Sequence, residues 1–189
     1  TNHQLPSSHA SQEHTIVDLG SEEFMVGRLH PMIDNDLRIR RLKQEADDPN
    51  VAVILLDVVL GYGAHPDPAS ELAPAIAEAR ARAARGGHAL EFVAVVIGTD
   101  EDPQDFLSQV ERLRQAGARV MATHEAAARH VGEMLGNLNR QDAKNVGKGA
   151  GEQGSGGETQ SVTHSPTHPI SLSHSFAAIN VGIESFFDS

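Results

Sequence analysis

Cysteine is absent from all 189 residues. A disulfide framework, a thiolate zinc site and a cysteine nucleophile are therefore excluded. Aromatic residues make up 4% of the chain and hydrophobic residues 39%. That is little for a fully packed chain, and it implies a compact domain diluted by a polar, unfolded part. No apolar run approaches the ~18 residues of a membrane span, and no charged-then-apolar leader opens the sequence. An excess of base is missing too. The net charge is −11 and the isoelectric point about 5.4, without the basic stripe of a nucleic-acid binder. The densest basic stretches, Arg38–Lys43 and Arg80–Arg85, read as solvated helix surface. These absences lead us to expect a cytoplasmic protein with neither nucleic-acid nor membrane partners. The chain opens at Thr1 and stops at Ser189 in what reads as mid-element, so an excerpt or a processed product is expected.

What is present is an alternation of short apolar runs with amphipathic stretches. TIVDL (Thr15–Leu19), VAVILLDVVL (Val51–Leu60), FVAVVI (Phe92–Ile97) and ARVMA (Ala118–Ala122) read as strands, and the middle two are apolar enough to be buried on both faces. Helices are expected from about Ile33 to Ala46, from about Ala69 to Arg85, from Pro103 to Gln115, and from Thr123 to about Asn137. Asp34 or Asn35, Asp67 and Thr123 are the expected N-caps, and Gly86-Gly87 and Gly117 the stops. Pro74 places the regular part of the second helix near itself. On the third, Phe106, Leu107, Val110 and Leu113 form one apolar face.

Repeated strand–helix units imply an α/β fold, a three-layer flavodoxin-like or Rossmann-like domain with a parallel sheet, over residues 15–138. Residues 1–14 read as a flexible leader. Residues 139–175, rich in Gly, Ser, Thr, Gln and His, read as a flexible linker. Residues 176–189 regain strand character, as the start of a further unit or a docking segment.

In an open parallel sheet, ligands bind outside the carboxyl ends of the strands. Three loops leave those ends, VGRLHPMID (Val26–Asp34), LGYGAHPDP (Leu60–Pro68) and GTDEDP (Gly98–Pro103), and each is longer than a plain connection needs. They carry His30, Asp34, Tyr62, His65, Asp67, Asp100 and Glu101, with Asp57 close by on its strand. His30 and His65 are candidate acid–base groups, because imidazole titrates near neutrality. Both precede proline, and the plainer reading makes each a turn former. Asp34 and Asp67 have the plainer reading of helix caps. Asp57 sits among apolar residues and needs a partner or a ligand if buried. The catalytic candidates are therefore His30, Asp34, Asp57 and His65, and the substrate-binding candidates are Gly61, Tyr62, Gly63, Gly98 and Thr99. No histidine pair has a metal spacing, so no metal site is expected. No dinucleotide fingerprint or P-loop lysine occurs.

The strings GRLHPMID, DPNVAVILLDVVLGYGAHPDPASELAPAI and VVIGTDEDPQDF, in that order, resemble the FdrA family, proteins similar to the succinyl-CoA synthetase alpha subunit. The likeness covers roughly residues 15–138. It implies a CoA-ligase domain of flavodoxin-like fold, detached from an absent CoA-binding domain. No cofactor site is evident within the domain itself, so CoA or a nucleotide would be bound through absent domains. Synthetases of this type carry a phosphohistidine in the loop after the third strand. Here that loop reads Ile97-Gly98-Thr99-Asp100-Glu101, without histidine. The resemblance also implies a multisubunit acyl- or carbamoyl-transfer complex, an oxamate carbamoyltransferase of purine (allantoin) catabolism, with other subunits as partners in a homo- or hetero-oligomer. The excerpt alone is not expected to be active. The alternatives are a non-catalytic scaffold or subunit-interface domain, a genuine acyl-CoA synthetase, and a ligand sensor.

Overall fold

The computed structural model describes residues 14–149 and 175–180. The element order is β1 (Thr15–Asp18), α1 (Glu22–Met25), α2 (Asp36–Glu45), β2 (Val51–Val59), α3 (Pro68–Arg85), β3 (Glu91–Ile97), α4 (Phe106–Gln115), β4 (Ala118–Met121), α5 (His124–Gly149) and β5 (Ser175–Asn180). All pairings are parallel, in the order β1-β5-β2-β3-β4. With β5 counted first, this is the 2-1-3-4-5 order of flavodoxin-like sheets.

The expected α/β architecture and its four strands are present, and β2 is the central strand. Alternation splits its side chains between two cores. Ile54, Leu56 and Val58 pack with Leu42, Leu72, Ile76, Val110 and Leu113 from α2, α3 and α4. Val53 packs with Val93, Val95 and the α5 residues Ala127, Val131 and Leu135. Among the described residues, one face of the sheet thus carries three helices, and the other carries α5 over β2, β3 and β4.

Of the two expectations for the tail, a further unit or a docking segment, Ser175–Asn180 takes the second form as an interior strand of this sheet, with Ile179 opposite Val17 on one side and Leu56 on the other. Ala177 and Ile179 are fully buried, so the short apolar run finds cover on the sheet that it lacks alone. The linker also begins later than residue 139, because α5 continues to Gly149. Residues 150–174 and 181–189, and all of the leader except His14, lie outside the described residues.

Several helix boundaries move for local reasons. α2 begins at Asp36, after an Asp34 side chain that accepts the Asp36 amide at 2.9 Å. α3 runs from Pro68 with Pro74 inside it, at the cost of one intrahelical hydrogen bond. α4 starts at Phe106 rather than Pro103, because Asp105 takes a left-handed φ of 54° and caps the Ser108 amide at 3.2 Å. Leu107 is 70% exposed, and Gln109 occupies the buried face in its stead. Thr123 Oγ1 caps α5 through the Ala126 amide, and Gly117 is left-handed as expected.

Candidate functional site

The carboxyl ends of β1, β2 and β3 bring the three long loops together, and backbone hydrogen bonds lace them. The His65 amide donates to Met32 O at 2.8 Å, joining the first loop to the second. The Leu60 amide donates to Ile97 O at 2.8 Å, joining β2 to β3. Gln104, only 5% exposed, completes the lacing. Its Oε1 accepts from Gly61 N, and its Nε2 donates to Gly61 O and His65 O at 2.7 and 3.1 Å. Gln109 continues the clamp, accepting from Ala69 N and donating to Asp67 Oδ1 and Gln104 O.

His30 and His65 make the same turn. Each Nδ1 accepts the amide two residues on, Met32 N at 3.2 Å and Asp67 N at 3.1 Å. In each turn the accepting Nδ1 leaves Nε2 as the nitrogen that bears hydrogen. Burial pushes the His30 pKa below its ordinary value, and Asp18 only partly opposes this.

From His65 a polar chain runs inward. His65 Nε2 lies 3.4 Å from Glu71 Oε2, which accepts from Asn35 Nδ2 at 3.1 Å. Asn35 Oδ1 accepts from Arg38 Nη1 at 3.5 Å. Arg38 Nη2 donates to the Asp57 carbonyl and stands 3.9 Å from the Asp57 carboxylate. Arg38 and Asp57 are 2% and 3% exposed. Burial lowers the Arg38 pKa, with Asp57 opposing the shift. Asp57 therefore has the partner its burial requires. The reading of Arg38–Lys43 as solvated surface is corrected here, because Arg38 and Arg41 are both buried and Arg41 pairs with buried Glu45 one turn on.

The other candidates are placed more loosely. Asp67 stands at the N-cap of α3 but makes no capping bond. Its carboxylate instead accepts from Arg112 at 2.7 and 2.9 Å, and these bonds hold its pKa below the ordinary value against some burial. Asp34 is exposed in its own turn. Tyr62 is 91% exposed beside Gly61, whose φ of 137° favours glycine, and Gly63 is open. At Gly98 a Cβ would come within 2.8 Å of Leu60 Cβ, so this glycine is fixed by packing. The Thr99 amide and hydroxyl are both engaged by Asp102 Oδ2, at 2.6 and 3.3 Å. Asp100 and Glu101 are exposed at the loop tip.

Residues 2–134 match the CoA-ligase family model. The chain belongs to the CoA-ligase family. This CoA-ligase domain is also 45% identical over 114 residues to the uncharacterized protein YahF of Escherichia coli (strain K12), a match covering 60% of this chain and 22% of that protein. The chain thus spans about a fifth of that relative. Among the described residues, no helix of the domain is long and apolar enough to cross a membrane, and no cluster of three metal-binding side chains occurs.

The sequence reading missed Arg38, Glu71, Gln104, Gln109 and Arg112 at this edge. Gln109 left a signal, a polar residue on the apolar stripe of α4. Gln104, in a loop, left none.

Proposed function

We propose that the CoA-ligase domain forms one wall of an acyl- or carbamoyl-transfer site in a longer, FdrA-type subunit, working beside other subunits and without a phosphorylated histidine. The observation that carries this reading is the β3–α4 loop. It has no histidine, and its Thr99 amide is already filled by the Asp102 carboxylate, so a phosphoryl group finds neither an acceptor nor a free donor at that amide. Fold membership alone says nothing of chemistry. The neighbouring loops carry two imidazoles oriented by their own backbone, the His65 Nε2 directed at Glu71 and the His30 Nε2 shielded from solvent. Of the two, the His65 Nε2, 3.4 Å from Glu71, is the donor this reading assigns to charge developing on a transferring group's oxygen. Asp34, Asp100 and Glu101 are exposed on the edge loops and Arg28 there stands 3.7 Å from Asp36, so further cationic groups for an anionic substrate are assigned to partner subunits.

The test is turnover by the full-length complex carrying His65→Ala or His30→Ala. His65→Ala is expected to lower turnover roughly 10²-fold, the scale of one lost oxyanion donor, and His30→Ala to lower it less, through the turn His30 holds with Met32 N, each with the thermal melt close to wild type. Unchanged turnover rejects the reading.

A second reading, a subunit interface on the same edge, is favoured by Val26, Leu29, Ile33 and Tyr62. These are 69%, 62%, 38% and 91% exposed, on the two loops that His65 N joins. Partner capture by Leu29→Asp separates the two, since an interface loses capture where a catalytic wall loses only turnover.

A further inference from the structure

The carboxyl edge holds the chemistry described so far, yet a cavity of about 940 Å³ opens at the opposite edge. It lies where the ends of α3 and α4 meet the starts of β3 and β4, with α5 alongside. We propose that this cavity is a binding site for a small phosphate-bearing molecule with an apolar body. The proposal is independent of the transfer reading.

The lining is cationic on a chain of net charge −11. Arg80, Arg114, Arg119 and His88 face the cavity, and Glu91 is its one acidic lining residue. That carboxylate is already engaged, at 3.0 Å from Arg119 Nε and 3.2 Å from His130 Nε2. Arg80 and Arg114 have no carboxylate partner among the described residues. Two unpaired guanidiniums with a third nearby match the charge and the fork geometry of a phosphate.

Two further features point to an occupant. Both ring nitrogens of His88 are shielded from solvent with no hydrogen-bond partner, an arrangement that costs free energy unless a ligand or water supplies one. The Arg80 guanidinium occupies the space a side chain at Gly117 would fill. Gly117 (φ 92°) therefore serves two ends: it makes the turn and it seats an arginine in the cavity wall.

The plainer reading is that arginines at helix carboxyl ends neutralise the dipole. It accounts for Arg114 in the last turn of α4. It does not account for Arg119 on a strand, nor for Arg80, which lies outside the last turn of α3 where Arg82 and Arg85 already stand. Ala52, Leu90, Met134 and Leu138 supply an apolar wall, and the volume falls in the range of small-molecule sites. A bare anion uses the arginines but not that wall.

Calorimetry on the full chain at low salt, with 1-naphthyl phosphate, inorganic phosphate and 1-naphthol, tests the proposal. The naphthyl phosphate is expected to bind saturably and more tightly than either half, with affinity falling as salt rises. Arg80→Ala and Arg114→Ala, both on exposed positions, are each expected to weaken it about 10-fold, the scale of one lost charge-assisted contact. Arg85→Ala, outside the cavity on the same helix, is expected to leave it unchanged. Absence of saturable binding, or equal weakening by Arg85→Ala, overturns the site. Equal affinity for phosphate and naphthyl phosphate overturns the assignment of the apolar wall.

Discussion

Arg38 belongs to RIRRLK, a stretch whose four basic residues look in sequence like a helix face turned to water. The fold turns Arg38 inward to Asp57, and the pair is almost wholly enclosed. A buried pair is worth little net, but losing one member strands the other charge. Arg38→Met alone is expected to destabilise the domain by about 3–5 kcal/mol, and Arg38→Met with Asp57→Leu by clearly less. Urea unfolding of the three proteins measures this, and equal losses in single and double variants would refute the coupling. Half of the pair was legible. An aspartate inside VILLDVVL announces that it needs a partner, whereas helical periodicity weighs apolar residues only and is silent about which arginine answers. The same blindness hid Gln104, whose role lies in bonds between loops far apart in sequence.

Among the elements, the strands were the clearest, because β2 and β3 are apolar at nearly every position and nothing but a doubly covered strand suits them. Helix starts were less clear. Pro103 has the chemistry of a first helical residue, yet the left-handed Asp105 resets the start three residues later. The least legible element was β5, because SFAAIN carries no mark of its neighbours. β1 is hydrogen-bonded to β5 alone within the sheet, and the loop bearing His30 follows β1. Ending the chain after Gly149 is therefore expected to cost β1 its whole ladder. Burial of Ile179 alone contributes roughly 1.5–3 kcal/mol. Hydrogen exchange should then show protection lost at Ile16–Asp18 and kept in β2 and β3. Retained protection in β1 would mean that β5 is dispensable.

Among the described residues, the carboxyl-edge loops carry exposed Asp34, Asp100 and Glu101, and the amino-edge cavity is lined by Arg80, Arg114 and Arg119. The resolved shifts also share one direction. His30 is lowered by burial, and Asp67 chiefly by its Arg112 hydrogen bonds. Burial raises Glu91, but bonds from Arg119 and His130 outweigh it and leave it lowered. A lowered folded-state pKa means that the unfolded chain takes up the proton first, so stability is lost as pH falls. The His30 contribution is complete above its ordinary value of 6.5 and fades as pH drops through the lowered one. The contributions of Asp67 and Glu91 fade below 3.8 and 4.5. Denaturant midpoints are thus expected to fall in two steps on acidification, with the upper step absent in His30→Gln. A midpoint flat from pH 7 to 5 in the unsubstituted protein would contradict this.

The sheet's strand order also has a temporal side. Every other described element precedes β5 along the chain, so β2, β3 and β4 can pair while a vacant slot still separates β2 from β1. Closing it brings Ser175 to β2 with 25 residues intervening after Gly149, and the entropic cost of such a closure grows only slowly with the separation. Synthesis from the amino end thus leaves the strand between β1 and the central β2 until last among the described strands. β5 is the keystone between β1 and the central β2, set after the rest of the arch is standing.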